Sequence, residues 1–337
     1  MKHEVNGRVV VITGASSGIG RATALKFAEA GDAVVIAARR KNLLNDIVDR
    51  CEELGTQALA VETDVSKEDS VEKLVNSAVK QFGRIDVWVN DAGVGAVGKF
   101  DEVPVEEHRR VIETNVNGTI YGSHAALRQF KKQDRGILIN ISSVLGKVTQ
   151  PYMSSYAASK HAVRALGACI RQELWLDERE DIHVCTVFPQ SVDTPFFENE
   201  ANRSGYKVKP APPIVEPEQA AEVIFGLAES PQDEAHVGKM GKVMSMQQKI
   251  SRKGTEKQMA VMTDRKHFDK SKRVKGHSGN LFQGSKSNEG EIHGGWKNGS
   301  SANRKKPLTA LAVAAPVAVG VYALLKNRKS SQLRAVV

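Results

Sequence analysis

A tyrosine and a lysine four residues apart, Tyr156 and Lys160, close the run SSVLGKVTQPYMSSYAASK that begins at Ser142. At that spacing two side chains share one face of a helix. A cation beside a phenol favours the phenolate, so the pair is expected to lower the Tyr156 pKa and let it give or take a proton near neutral pH. Ser143 directly follows the apolar run GILINIS, which reads as a buried strand. A hydroxyl at a strand's C-terminal end, facing a helix that carries Tyr and Lys, can hydrogen-bond a substrate oxygen. Taken alone, Tyr-x-x-x-Lys is more often an ordinary exposed helical pair, so the case depends on the elements around it.

The first of those elements is the strand RVVVIT at 8–13, followed by Gly14-Ala15-Ser16-Ser17-Gly18-Ile19-Gly20 and a helical stretch that stops at Gly31. Strand, glycine-rich turn and helix is the context in which glycines admit a pyrophosphate to the backbone and the helix N-terminus supplies N–H donors. The spacing of Gly14, Gly18 and Gly20 differs from G-x-G-x-x-G. A second strand, 33–38, runs into Arg39, Arg40 and Lys41, where an NAD site expects an acidic residue. Arg39 can clamp a 2′-phosphate, which favours NADP; the competing reading is a solvated charge run. Further along come a helix at 42–54, a strand at 57–62 and Asp64-Val65. Asp64 suits either an adenine amino group or the cap of a helix at 66–82, with Ser66 competing for the cap.

A strand at 86–90 leads into Asn90-Asp91-Ala92-Gly93, whose small residues permit close approach of a cofactor. The long helix expected at 105–130 contains Asn115, a poor helix former. It reads as a backbone-bonding kink that organises a water, or as a polar residue near a cap. Strand 136–142, the Tyr-Lys helix at 153–177 and strand 182–189 follow, and Pro189 opens a loop through Val192, Asp193 and Thr194. A mobile cover at 196–215, a helix at 216–228 and a short strand near 235–243 complete the pattern. Strands and helices in alternation predict an α/β, doubly wound parallel sheet with helices on both faces.

The chain has 337 residues and a net charge of +9, and its excess of cations lies beyond residue 251. Residues 1–251 hold slightly more acids than bases, which argues against nucleic acid as a partner. The three cysteines, Cys51, Cys169 and Cys185, have no metal-ligand spacing and read as buried thiols in a reducing compartment. The N-terminus shows no apolar signal region, so a cytoplasmic body is expected.

In order and spacing, TGASSGIG, Asp64-Val65, NDAG at 90–93, Asn115, Ser143, YAASK and the loop after 189 resemble the short-chain dehydrogenase/reductase family over roughly residues 6–250. The resemblance implies a Rossmann-type fold and hydride transfer between NADP(H) and a carbonyl or secondary alcohol. It makes Tyr156 the general acid/base and Lys160 the ligand of the nicotinamide ribose that lowers the Tyr156 pKa. Ser143 holds the substrate oxygen, and Asn115 orients a proton relay. Gly14, Ser16, Ser17, Gly18, Ile19 and Gly20 form the pyrophosphate loop, and Arg39 with Arg40 selects NADP. Asp64 and Val65 flank the adenine. Asn90 lies toward the adenosine ribose beside Ala92 and Gly93, while Pro189, Val192 and Thr194 border the carboxamide. Asp91 stands where the family has Asn, Gln190 where it has Gly, and Ser17 where some members carry a cation. The resemblance also implies a homo-oligomer paired through the helices at 105–130 and 153–177. A non-catalytic NADP-binding sensor or scaffold is the alternative, but it has no need to keep Asn115, Ser143, Tyr156 and Lys160 together.

Domain boundaries follow composition. Residues 1–250 form the NADP-binding domain, 251–306 a basic, polar, flexible linker in which Phe282 and Trp296 anchor locally, and 327–337 a basic tail. Between them, 307–326 is a hydrophobic helix whose uncharged run Leu308–Leu325 would span ~27 Å and is expected to contact a membrane. Val94, Val144, Leu145, Tyr152, Phe196 and Phe197 are expected to give the substrate an apolar wall, which points to a lipophilic carbonyl or alcohol.

Overall fold

β-branched and apolar runs become the strands of one parallel sheet. The computed structural model describes residues 7–284 and 290–297. In chain order its elements begin with β1 (Val9–Thr13), α1 (Gly18–Glu29), β2 (Ala33–Ala38), α2 (Lys41–Glu53), β3 (Ala58–Glu62), α3 (Glu68–Phe82), β4 (Val87–Asn90) and β5 (Ala96–Val97). Next are α4 (Val105–Ile112), α5 (Gly118–Gln133), β6 (Gly136–Ile141), α6 (Ser154–Leu176) and β7 (Ile182–Pro189). The chain continues through α7 (Phe196–Asn199), β8 (Ala201–Asn202), β9 (Tyr206–Val208), α8 (Pro217–Glu229), β10 (Glu234–Val237), α9 (Met240–Ile250), α10 (Arg252–Lys266) and β11 (Phe268–Arg273).

Seven strands pair in the order β10-β7-β6-β4-β1-β2-β3, every pair parallel. Alternation along β1 explains why both faces need helices. Val10 and Ile12 pack on one side with Leu44 and Ile47 of α2 and Ile224 of α8. Val9 and Val11 pack on the other with Leu74 of α3, Phe130 of α5 and Ile170 of α6. A sheet buried on both faces requires this near-continuous hydrophobicity. Strand order reverses between β1 and β4, and the carboxyl ends of the strands there form the crevice in which such sheets bind ligands.

The expected long helix at 105–130 is interrupted. Residues 113–117 form a π turn around Asn115 between α4 and α5, an irregularity found often at functional sites. The expected strand near 235–243 stops at Val237, and α9 takes over from Met240. The 196–215 cover is folded: β8 pairs with β5, and β9 with β11.

The expected flexible linker at 251–306 is corrected over its described part. Residues to Lys297 belong to one compact unit. Helix α10 turns Thr255, Met259 and Thr263 inward, each nearly fully buried, and Phe268 of β11 sits opposite Val208 of β9. Those inward positions recur at helical spacing, and packing them on the body outweighs the polarity of the rest. Trp296 does anchor, through its Nε1–H to the Thr194 carbonyl (3.2 Å), whereas Phe282 is half exposed and its neighbour Leu281 is the buried one. Cys51 and Cys185 are buried thiols as expected, but Cys169 is exposed on α6. The hydrophobic stretch at 307–326 and the tail at 327–337 lie outside the described residues. Among the described residues no helix is long and apolar enough to cross a membrane.

Candidate active site

The carboxyl ends of β1, β2, β4, β6 and β7 open into a cavity of about 310 Å³. The end of β6 is fastened to α6 twice. The Ser142 hydroxyl donates to the Lys160 carbonyl at 2.8 Å, and Lys160 Nζ donates to the Ile141 carbonyl at 2.8 Å. This fixes Ser143, the next residue, opposite the helix face that carries Tyr156. Ser143 Oγ accepts from the Leu145 amide at 3.1 Å and stands within hydrogen-bond reach of the Tyr156 hydroxyl. Lys160 Nζ lies 5.6 Å from the centre of the Tyr156 ring. The Tyr-Lys pair is thus no exposed surface pair: Lys160 is buried, and Tyr156 keeps some surface along the cavity with its hydroxyl deep inside.

Asn115 holds the opposite wall. Its Oδ1 accepts from the Val94 amide (2.8 Å), and its Nδ2 donates to the Val94 carbonyl (3.0 Å) and to Ser159 Oγ (3.0 Å). Ser159 Oγ in turn donates to the Tyr156 carbonyl at 2.7 Å. The π turn therefore aims one amide at both the loop after β4 and α6. It is the backbone-bonding kink, not a cap.

The electrostatics reverse one expectation. Burial pushes the Tyr156 phenol above its ordinary value; the Ser143 hydrogen bond opposes this, and Glu200 and Asp91 reinforce it. The expected lowering by the lysine is not found and burial dominates, so the phenol is held protonated, the form a general acid needs. Burial also pushes Lys160 down to about 8 and Asp91 up to about 7, each drawn back by the other's charge. The Gly20 amide also draws the Asp91 carboxyl down. Glu200 is buried with neither carboxyl oxygen hydrogen-bonded, and desolvation raises it well above the usual carboxylate range.

Of the expected cofactor residues, Gly14, Ser16, Ser17, Gly18, Ile19, Arg39, Arg40, Asp64, Val65, Ala92, Gly93, Pro189, Val192 and Thr194 line the cavity with Tyr156 and Lys160. Two do not. Gly20 packs beneath, where a Cβ would stand 2.6 Å from the Gly14 carbonyl oxygen. The Asn90 side chain accepts from Trp88 Nε1 (2.7 Å) and donates to Asn140 (2.8 Å) and Ser123 (3.2 Å), buried under the cleft. Asp64 accepts from the Ser66 amide and hydroxyl and pairs with Arg110 at 3.3 Å. Burial works against its ionisation, yet these partners hold the carboxyl below its ordinary value. Gln190 has no left-handed backbone; its side chain bridges the Pro213 carbonyl and the Met240 amide.

Residues 280–284 and 290–297 lie along the cleft, which their polar composition did not announce. Arg39 donates to the carbonyls of Asn280 and Leu281, Arg21 to that of Gly290, and the Gly18 amide to that of Glu291 at 3.1 Å. The rim thus presents a row of N–H donors, at a helix N-terminus and on two arginines, already matched to acceptor oxygens. That donor set fits the phosphates of a dinucleotide. Beyond Tyr156 the lining turns apolar, with Val94, Val144, Leu145, Phe196 and Phe197 as expected and Met153 in addition, whereas the Tyr152 ring packs on Phe268 and does not line the cavity. Met240, Met244, Met259, Met262 and His267 come from the C-terminal helices. The i, i+4 spacing of Met240 with Met244 and the i, i+3 spacing of Met259 with Met262 are the signals that could have found them.

Residues 8–204 match the family model described as short chain dehydrogenase. A Bacillus subtilis (strain 168) protein described as the uncharacterised oxidoreductase YxnA is 33% identical over 320 residues, which covers 93% of this chain and 89% of that protein. An alcohol dehydrogenase from the archaeon Thermococcus sibiricus, solved with 5-hydroxy-NADP, is 29% identical with a TM-score of 0.60, over 68% of this chain and 96% of that one. A short chain dehydrogenase/reductase from Burkholderia phymatum, solved with NAD, is 26% identical with a TM-score of 0.67, over 75% and 96%.

Proposed function

Since the chain belongs to the short-chain dehydrogenase family and is an oxidoreductase with a nicotinamide-cofactor site, we propose that it interconverts a lipophilic carbonyl compound and its secondary alcohol with NADP(H). The observation that carries the reading is the convergence of Ser143, Tyr156 and Lys160 on one cavity whose far wall is apolar. The cofactor, when bound, supplies or accepts the hydride. In reduction, Tyr156 Oη protonates the substrate oxygen while Ser143 Oγ holds that oxygen in place. Lys160 steadies the negative charge left on the phenol, and Asn115 keeps the Val94 loop and the Tyr156 turn in register. Arg39 and Arg40 at the end of β2 support the 2′-phosphate preference.

The neighbouring titrations suit this direction. A phenol held protonated by burial is ready to give its proton, and the developing phenolate finds an ammonium within reach. Pairing of two copies through α5 and α6 belongs to the same proposal, and Ile120, Trp175 and Leu176 leave apolar surface on those helices.

The test is turnover of a panel of hydrophobic ketones with NADPH and with NADH, alongside Tyr156→Phe. Loss of at least about 100-fold in kcat with NADPH binding retained is expected. Unchanged turnover in Tyr156→Phe removes the phenol from the chemistry.

A further inference from the structure

One of the side chains that line the cavity together with the apolar wall is His267, between α10 and β11. It is 2% exposed and lines the cavity, and neither Nδ1 nor Nε2 has a hydrogen-bond partner. Its main chain is fully matched: the amide donates to the Thr263 carbonyl (2.9 Å), and the carbonyl accepts from the Lys209 amide (3.0 Å). Those bonds would form with any side chain at this position. The imidazole packs edge-to-face against Phe197 (6.1 Å) and Phe268 (5.5 Å). Two unmatched buried nitrogens cost stability that an aliphatic residue would avoid.

The ring is too far along the wall to join the chemistry. Between it and Tyr156 stand two rings in series, with centre-to-centre steps of 5.5 Å from Tyr156 to Phe196, 5.6 Å to Phe197 and 6.1 Å to His267. The cations that line the cavity lie elsewhere. Arg39, Arg40 and Arg110 border the dinucleotide edge, and Lys160 stands by Tyr156. A charged substrate terminus would therefore find no counter-ion at this end. Burial pushes the imidazole down to about 4, so it is neutral in ordinary buffers and offers one donor and one acceptor.

We propose that His267 recognises a second, uncharged oxygen function, a hydroxyl or keto group, at the end of the substrate remote from the reacting carbonyl. The substrate class is thus an elongated, otherwise apolar carbonyl compound that is oxygenated at both ends. This deepens the function proposed above and rests on it. His267 acts as a specificity residue: its bond orients the substrate and leaves the hydride and proton steps untouched.

The experiment compares a hydrophobic ketone bearing a distal hydroxyl with the same ketone bearing a methyl group there. Full-length wild type should prefer the hydroxylated ketone by about 10- to 100-fold in kcat/KM. His267→Leu should erase that preference by slowing the hydroxylated ketone alone, and His267→Gln, which keeps a donor and an acceptor, should restore part of it. A wild type that treats the two ketones alike overturns the proposal, as does a leucine variant that slows both equally. If the leucine variant fails to fold, the glutamine variant against wild type carries the comparison. If wild type reduces neither ketone, the proposed reduction of lipophilic carbonyl compounds fails by itself. Equilibrium dialysis of the same pair against the NADPH-saturated chain then still decides His267, because equal binding of the two compounds overturns its role.

Discussion

The Arg39 guanidinium donates to the Asn280 carbonyl at 2.7 Å and to the Leu281 carbonyl at 3.2 Å, so the end of β2 presents its fork to oxygen acceptors. A 2′-phosphate is a charged acceptor of matching geometry, and charge-assisted bonds of this kind are about twice as strong as neutral ones. Arg39→Ser is therefore expected to lower kcat/KM for NADPH by about 10- to 100-fold and to leave NADH within a few-fold. Steady-state kinetics with both cofactors checks it. An equal loss with the two would mean that Arg39 holds the 280–281 segment and reads no phosphate.

Asn115 offers a second test. Its amide makes three buried bonds that join the loop after β4 to α6 through Val94 and Ser159. Asn115→Ala leaves the Val94 amide and carbonyl unmatched in the interior, at a cost of about 1–3 kcal/mol for such a group. The expected result is a lower urea midpoint together with a fall in kcat larger than the rise in KM. A variant of unchanged stability and activity would make the π turn a bystander.

Much of this was readable in the chain, and particular residues show where reading stopped. The strands and the Tyr156, Lys160 and Ser143 constellation announce themselves because period, glycine placement and i, i+4 spacing are local properties. The direction of the Tyr156 shift does not, because it depends on how deeply the hydroxyl is buried and on Glu200, which comes from a distant segment. Asn90 looked like a cofactor residue from its place in a motif, yet its amide is matched by Trp88, Ser123 and Asn140, partners that only the packing of β4 on β6 and α5 brings together. Residues 252–284 misled by composition: a few inward positions, Met259, Thr263, Phe268 and Leu281, decide their fold while the charges around them set the average.

Glu200 carries a pH prediction. Its carboxyl is buried without a partner, and desolvation alone lifts its pKa well above the ordinary 4.5. In the window between the unfolded and folded values, the native state binds the proton and the unfolded chain does not. Stability therefore falls as pH rises through that window, and the full penalty of a buried carboxylate is reached above the folded value. Glu200→Gln keeps the shape and stays neutral throughout. Its Tm should match wild type near pH 4 and exceed it by a margin that grows toward pH 8. A constant offset across pH would show that Glu200 is not titrating in the fold.

The main chain of the segment that lies along the dinucleotide rim is gripped at its far end by a buried carboxylate. Asp193, 2% exposed, accepts from the amides of Gly294 (3.1 Å), Trp296 (2.8 Å) and Lys297 (3.1 Å). Upstream in the same segment, the Glu291 carbonyl occupies the Gly18 amide at the N-terminus of α1, a donor that the resemblance assigns to the pyrophosphate. Cofactor binding must then exchange that bond for one to phosphate, and the grip of Asp193 sets how costly the exchange is. Asp193→Ala removes the side-chain acceptor of the Trp296 and Lys297 amides, leaves the Gly294 amide only the main-chain carbonyl of residue 193, and loosens 290–297. Limited proteolysis should cleave this segment faster, and NADPH should bind about 3- to 10-fold tighter by fluorescence titration, which corresponds to roughly 1 kcal/mol. Faster cleavage with unchanged or weaker NADPH binding would mean that the segment helps to hold the cofactor and does not compete with it.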